Sequence, residues 1–300
     1  MDEQKMELRK IRDFGVNISD TFLFLQQNFK PLLKAFFAIC GLFMLLQAIF
    51  SGIYQSRSMG GLLQQIISGR ATAARLNNDN PYAAIFSIEY FMMILFMLLT
   101  FASMKVVVAA YLKFYLENDK RTPTIEDIWQ LYKKYFFKVF LYSIPVGVLS
   151  ILGLIFCLAP GIYLWTVFVP FTYVIMMEDA DFGTAFSRCF HLIKGYFWPA
   201  FFLYLVAGII YYVCSSIISV VVGLVVGVAA YFTTKDVSST VGIVTSFLNV
   251  FSFVFYIIFF LSAGLQYFSL TEQRDGTGIL QRINSIGNTD AGFDHTEEQY

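Results

Sequence analysis

Charge is what this sequence lacks most. Charged side chains make up 14% of its 300 residues, against about 25% in a typical soluble domain. Hydrophobic residues make up 57%, and uncharged stretches run over 35–56, 139–177, 195–234 and 237–271. A transmembrane helix needs about 20 apolar residues, so each stretch is long enough for at least one span. The scarcity of charge therefore excludes a single soluble globule and predicts an all-α, polytopic membrane protein.

Residues that carry common enzyme chemistry are also scarce. The chain has two histidines and contains no HExxH, GxSxG, Walker-type or GxGxxG motif. These absences argue against metal-dependent, serine-hydrolase and nucleotide-dependent enzymes, so we expect no enzyme activity, metal or cofactor. Lys and Arg number 21, as do Asp and Glu, and this balance predicts no nucleic-acid partner.

The cysteine spacing argues against disulfides and metal ligands, and the N-terminal segment argues against a cleavable signal peptide. The four cysteines show no CxxC spacing, and we interpret them as small buried hydrophobic residues: Cys40, Cys157, Cys189 and Cys214. Residues 1–15 mix acids and bases and lack the apolar core of a cleavable signal peptide. The first span is therefore expected to direct membrane insertion.

The chain divides into six predicted spans between a leader and a tail. The leader, residues 1–31, contains an amphipathic helix, and the polar tail covers 271–300. The spans lie at about 32–54, 83–112, 139–158, 161–177, 198–230 and 241–270. The strong turn signal Pro160-Gly161 predicts a hairpin inside 139–177. Residues 195–234 contain no such pair and are taken as one span, although Ser215-Ser216 leaves two spans open.

The distribution of basic residues predicts the orientation. With an internal N-terminus, fifteen Lys and Arg residues fall on the cytoplasmic side and four on the outer side. Short cytoplasmic loops retain Lys and Arg, so both termini are predicted to be cytoplasmic.

Three segments are similar in pattern and suggest an internal repeat. They begin at Ile18, Ile125 and Phe186, and each precedes a predicted hairpin of spans. In the second, apolar residues recur every three or four positions after a possible N-cap at Thr124, and Asp181 is a possible cap for the helix that carries the third. The pattern predicts three parallel units, each an interfacial amphipathic helix followed by a transmembrane hairpin.

Residues 157–198 also carry a resemblance to known proteins. They contain, in order, Pro160-Gly161, the acidic turn Glu178-Asp179 and a basic aromatic segment from Arg188 to Trp198. With these motifs, residues 110–230 resemble the membrane domain attached to some bacterial glycerophosphodiester phosphodiesterases, and related six-span bacterial families. The chain has no room for the catalytic barrel, so that activity is not implied. The resemblance implies a multi-pass protein of the bacterial inner membrane without assigned chemistry.

Two charged residues lie well inside a predicted span. Glu89 and Lys105 are 16 residues apart on one helix, about 24 Å, so they cannot pair directly. Each lies near a predicted span end, which favours side chains that reach the membrane surface, with a proton or ion relay as the alternative.

Charged residues of the predicted cytoplasmic loops form two further candidate groups. Glu178, Asp179 and Asp181 precede Arg188, and they are interpreted as a structural clamp or as a site for a cation or basic partner. The candidate contacts with anionic lipid or a protein partner are Lys133, Lys134, Lys138, Arg188 and Lys194.

The fifth span contains a possible packing face. Ser219, Gly223 and Gly227 recur every fourth residue, a spacing of small side chains that lets another helix approach closely. The partner helix is expected in the same chain, with a second subunit as the alternative, and the oligomeric state is left open.

The sequence favours a non-enzymatic scaffold or accessory subunit that contacts membrane lipids and, through its cytoplasmic helices and tail, a protein partner. The alternative is a transporter or lipid-handling protein with a cavity among the three hairpins. Prolines at 145, 160 and 170 support the alternative because they can break helices beside a path.

Overall fold

The described part of the chain is mostly helical and contains no strand. The structure, a computed structural model, describes residues 6–67, 87–233 and 249–276. These residues form eight α-helices and one 3₁₀ helix, Asn249–Phe255. The α-helices are α1 (Phe14–Ile67), α2 (Ile88–Glu117), α3 (Ile125–Phe156), α4 (Leu158–Phe168), α5 (Phe171–Met177), α6 (Phe182–Ile193), α7 (Phe197–Thr233) and α8 (Tyr256–Asp275).

Six helical segments of the described residues are long and apolar enough to cross a membrane. They are Phe14–Gln55, Ile88–Glu117, Ile125–Phe156, Leu158–Met177, Phe197–Val226 and Val250–Asp275. The six segments confirm the all-α fold class and make the chain a multi-pass membrane protein.

The start of the first crossing and the end of the last lie together. The backbone N–H of Arg12 donates to Ser269 Oγ at 2.9 Å, and Arg188, between the fourth and fifth crossings, pairs with Asp275 at the end of α8. This end of the bundle is called the polar end below.

Two predicted boundaries of the membrane domain move. The leader helix is not separate from the first span, because α1 runs from Phe14 without a break and includes Pro31. At the other end, α8 continues to Asp275 and Glu272 is buried, so the tail begins at Gly276 rather than at residue 271. Gly276 ends the helix with a φ of +59°, a conformation that glycine adopts without steric cost.

The turn of the central hairpin is displaced from its predicted position. Helix α3 ends at Phe156 and α4 begins at Leu158, so the turn is at Cys157, and Pro160-Gly161 lies in the first turn of α4. Proline is tolerated there because the first helical N–H groups have no partner within the helix. Gly161 instead permits close packing: a Cβ added to it would lie 2.6 Å from the backbone nitrogen of Leu154 in α3.

The cysteines follow the prediction only in part. All four are free, and Cys40 and Cys189 are buried as expected. Cys157 is exposed, because it occupies the hairpin turn, and Cys214 is half-buried on α7. Those two were wrongly predicted to be buried.

The remaining span predictions differ in detail. Residues 197–233 form the single helix α7. The last crossing begins with the 3₁₀ helix, and its predicted first residues, 241–248, lie outside the described ranges. Residues 83–86 of the second span and the tail from 277 also lie outside them.

The three predicted repeat units differ in one respect. The amphipathic segment is continuous with the crossing in α1 and α3 but is the separate helix α6 in the third unit, so the repeat stays a prediction.

Candidate functional site

Helix α6 is attached to the polar end by an ion-pair cluster. Arg188 Nε lies 3.2 Å from both carboxylate oxygens of Glu178, and the Arg188 guanidinium also pairs with Asp275. The Tyr267 hydroxyl donates to Glu178 Oε1 at 2.9 Å. Desolvation lowers the pKa of Arg188, but the two carboxylates outweigh it and raise the pKa above its ordinary value. Arg188 therefore joins α6 to α8 and to the end of α5.

The other two residues of the acidic group contact the lysines of α3. Lys134 Nζ lies 3.3 Å from Asp179 Oδ2, and Lys138 Nζ lies 3.6 Å from Asp181 Oδ1. Partial desolvation raises the pKa of Asp179, but the lysines outweigh it and hold that pKa below its ordinary value. Asp181 occupies the N-cap position of α6 without a side-chain cap bond. Asp179 and Asp181 thus contact lysines that were predicted to contact lipid or a partner. The sequence had placed the acidic residues and the lysines in two separate groups and did not predict this contact.

The lysines are consequently divided between two environments. Lys134 and Lys138 face Asp179 and Asp181, whereas Lys133 lies over the Trp129 ring, with Nζ 5.5 Å from the ring centroid. The Lys194 side chain is exposed, and its backbone carbonyl accepts a hydrogen bond from Arg274. The five residues predicted to contact lipid or a partner are therefore not one surface.

Gly223, the middle residue of the small-residue pattern on α7, has no packed neighbour among the described residues. A Cβ added to Gly223 would have no atom of the described residues within 4 Å. The surroundings of Gly227 lie outside what is described, and Ser219 has an interaction of its own. The expected packing of another helix of the chain is thus not found at Gly223 within the described residues.

The two intramembrane charges lie in different surroundings. Glu89 is in the first turn of α2, next to its cap Ser87, as expected for a residue at a span end. Lys105 is half-buried and lies twelve residues before the end of α2, about 18 Å along its axis. The helix continues past the predicted span end at residue 112, so Lys105 is not near the end of its helix.

Lys105 lines a cavity of about 560 Å³ that lies between five of the crossings. The lining includes Ser143 and Ser150 of α3, Trp165 of α4, and Tyr211 and Tyr256 of α7 and α8. No carboxylate lines it, and no described residue forms an ion pair or hydrogen bond with Lys105 Nζ. The cavity is therefore mostly apolar with one basic group, and its volume is within the range of about 300–1,000 Å³ of small-molecule sites.

The cavity is open on its outer side. Ile151 and Leu154 of α3 line it, yet they are 58% and 48% exposed. Both belong to a membrane-crossing helix, so this side faces lipid. Along α3, Ser143 and Ser150 lie about 7 and 18 Å beyond Lys138, which places the cavity within the depth of the hydrocarbon.

Helix α6 supports the inner wall of this cavity. Phe168 and Phe171 line the cavity, and their rings also contact the aromatic face of α6. The centroid distances are 5.1 Å from Phe168 to Phe186 and 6.0 Å from Phe171 to Phe182. The ion pairs of Arg188 thereby help to position one wall of the cavity.

Sequence patterns missed most of the cavity lining. The ring centroids of Tyr211 and Tyr256 are 3.8 Å apart. The sequence did not single out these two tyrosines, because aromatic residues make up 18% of the chain. Lys105 was singled out by its charge alone. In the described ranges, no group of three or more His, Cys, Asp or Glu side chains is placed to hold a metal ion.

Comparisons with known proteins add no relative. The chain matches no protein-family model, and its comparison with curated proteins and with solved structures gives no match. The resemblance to the phosphodiesterase membrane domain therefore stays a prediction.

Proposed function

We propose that this protein is a non-enzymatic, lipid-handling membrane protein that binds an anionic amphiphile in the cavity around Lys105. Of the two functions left open by the sequence, the cavity favours the lipid-handling protein over the scaffold. The observation that carries the proposal is a basic side chain at membrane depth whose amino group has no partner among the described residues and borders a cavity.

The energetics of a buried charge support an anionic ligand. A charged group inside a membrane is costly and is normally paired with another group or with a ligand. An anionic headgroup beside Lys105 supplies the missing countercharge, and the Ser143 and Thr172 hydroxyls lie along the same cavity as further hydrogen-bond donors. The apolar remainder of the lining suits a hydrocarbon chain.

The lateral opening supports a ligand that arrives through the bilayer. A molecule entering past Ile151 and Leu154 keeps its chain in hydrocarbon while its headgroup approaches Lys105. No hydroxyl of the described lining is within hydrogen-bond distance of Lys105 Nζ, so the geometry supports binding rather than nucleophilic catalysis. We place the protein in the bacterial inner membrane, with its polar end and both termini in the cytoplasm.

Lipid retention tests the proposal. The wild-type protein, purified in mild detergent, is analysed by native mass spectrometry for bound anionic lipids and fatty acids. We expect Lys105→Met to lower the bound fraction about tenfold, which corresponds to the loss of about 1.4 kcal/mol. Lys34→Met is the matched control because Lys34 also lies in a crossing but is exposed and outside the cavity lining.

A second variant separates loss of charge from loss of folding. Lys105→Arg keeps the positive charge and should retain the amphiphile. Equal retention by Lys105→Met and the wild type would refute the proposal, as would a wild-type protein that carries no anionic amphiphile.

A further inference from the structure

We infer that a second, separate lipid site lies in a groove between α1 and α3, and that it binds the headgroup of an anionic phospholipid through Lys133. The inference does not depend on the cavity around Lys105, because the two sites share no lining residue.

The groove has two apolar walls. It has a volume of about 350 Å³, and α1 contributes Ala38, Ile39, Leu42 and Phe43. On α3, Trp129, Tyr132 and Phe136 form a stack, with centroid distances of 5.4 and 4.8 Å between successive rings. Phe43 stacks on Phe136 across the groove at 6.0 Å.

The groove floor is fixed by buried polar contacts. The Tyr132 hydroxyl lies 3.0 Å from Ser103 Oγ on α2, and Ser103 Oγ donates to Cys40 Sγ at 3.3 Å. These contacts join three helices beneath the aromatic stack. The groove is therefore a preformed surface, which lowers the entropic cost of holding a chain against it.

Exposure identifies the surroundings of the groove. Leu42 and Phe137 line it and are 66% and 77% exposed, and both belong to membrane-crossing helices. Large apolar side chains this exposed on crossing helices face lipid rather than water. An acyl chain is therefore the natural occupant of the apolar part.

Charge identifies the headgroup. Lys133 also lines the groove, and its Nζ lies over the Trp129 ring. No carboxylate among the described residues pairs with Lys133, whereas Lys134 pairs with Asp179. An exposed ammonium at the mouth of a lipid-facing groove complements a headgroup phosphate, and near a membrane surface one basic residue favours anionic lipid about fivefold.

Quenching of Trp129 fluorescence tests the site. Trp165→Phe and Trp198→Phe together leave Trp129 as the only tryptophan of the chain, which has three. The protein is reconstituted in phosphatidylcholine vesicles that contain either brominated phosphatidylglycerol or brominated phosphatidylcholine at equal mole fraction. We expect the anionic lipid to bind beside Trp129 about fivefold more strongly than the zwitterionic lipid.

The adjacent lysines provide matched variants. Lys133→Gln should reduce the preference for anionic lipid to about one, and Lys133→Arg should keep it. Lys134→Gln removes the same charge one residue away and should leave the preference unchanged, because Lys134 faces Asp179. Equal quenching by both lipids in the parent protein would overturn the inference, and so would an equal loss of preference in Lys133→Gln and Lys134→Gln.

Discussion

The close contact of α3 and α4 at Gly161 gives a prediction whose size can be worked out. In Gly161→Ala, the added Cβ would lie 2.5 Å from Leu154 Cγ and 2.6 Å from its backbone nitrogen. Cβ atoms essentially never come within 3.0 Å of such atoms, and a backbone nitrogen cannot move without moving its helix. Overpacking of this kind costs about 1–3 kcal/mol.

The substitution also has a favourable contribution. Alanine is better than glycine inside a helix by about 0.5–1 kcal/mol, which offsets part of the steric cost. Gly41→Ala isolates the two effects, because Gly41 lies inside α1 with no atom within 4 Å of an added Cβ. Gly161→Ala should therefore be less stable than Gly41→Ala by about 1–3 kcal/mol.

Reversible unfolding in mixed micelles measures this difference. The protein is titrated with sodium dodecyl sulfate, and loss of helix by circular dichroism gives the free energy of unfolding for both variants. If Gly161→Ala proves as stable as Gly41→Ala, the close packing of the hairpin, and with it the turn at Cys157, is wrong.

Three further predictions concern the charged and polar contacts outside the cavity. Thr124→Ala removes the capping box that Thr124 forms with Asp127 and should lower the free energy of unfolding by about 1 kcal/mol; the same titration measures it, and an unchanged value would exclude a role for the cap. Arg188→Gln breaks two ion pairs and should speed amide hydrogen exchange in α6 while leaving exchange in α2 unchanged; equal exchange in α6 would show that its apolar face alone holds it. The lowered pKa of Asp179 means that its ion pairs stabilise the fold above the unfolded-state pKa of about 4 and that this contribution is lost as the pH falls below that value. Asp179→Asn should therefore show less acid destabilisation than the wild type between about pH 5 and pH 2, and identical pH profiles would contradict the pairing.

The sequence identified Lys105 as an unusual residue but did not predict its surroundings. Its charge inside an apolar stretch marked it as unusual, but the span was predicted to end at residue 112, and the side chain was expected to reach the membrane surface. Helix α2 continues to Glu117, and it packs against α1 at Tyr111 and against α8 at Leu112. The packing of five crossings places Lys105 beside the cavity, and hydropathy contains no information about such packing.

The sequence also did not predict the long-range ion pairs of the polar end. Spacing alone suggested that Arg188 could approach Glu178, since the two are ten residues apart and the N-cap of α6 lies between them. The approach of Lys134 to Asp179, 45 residues away, and of Arg188 to Asp275, 87 residues away, depends on how three crossings return to the same end. Pairing over such distances follows from the tertiary arrangement, so the predicted lysine patch is divided between an ion-pair cluster and a separate lysine, Lys133, beside a groove.

By itself, the sequence determined that this is an all-α membrane protein with six crossings, because apolar length and the need to satisfy the backbone inside lipid leave few alternatives. It also determined the start of α3, through the local hydrogen bonds of Thr124 and Asp127. Only the tertiary structure decided that Lys105 and Lys133 have no ion-pair partner among the described residues. A cavity at Lys105 and a groove at Lys133 are spaces between helices, and the space between helices is set by side-chain packing across the bundle rather than by the periodicity of any one helix.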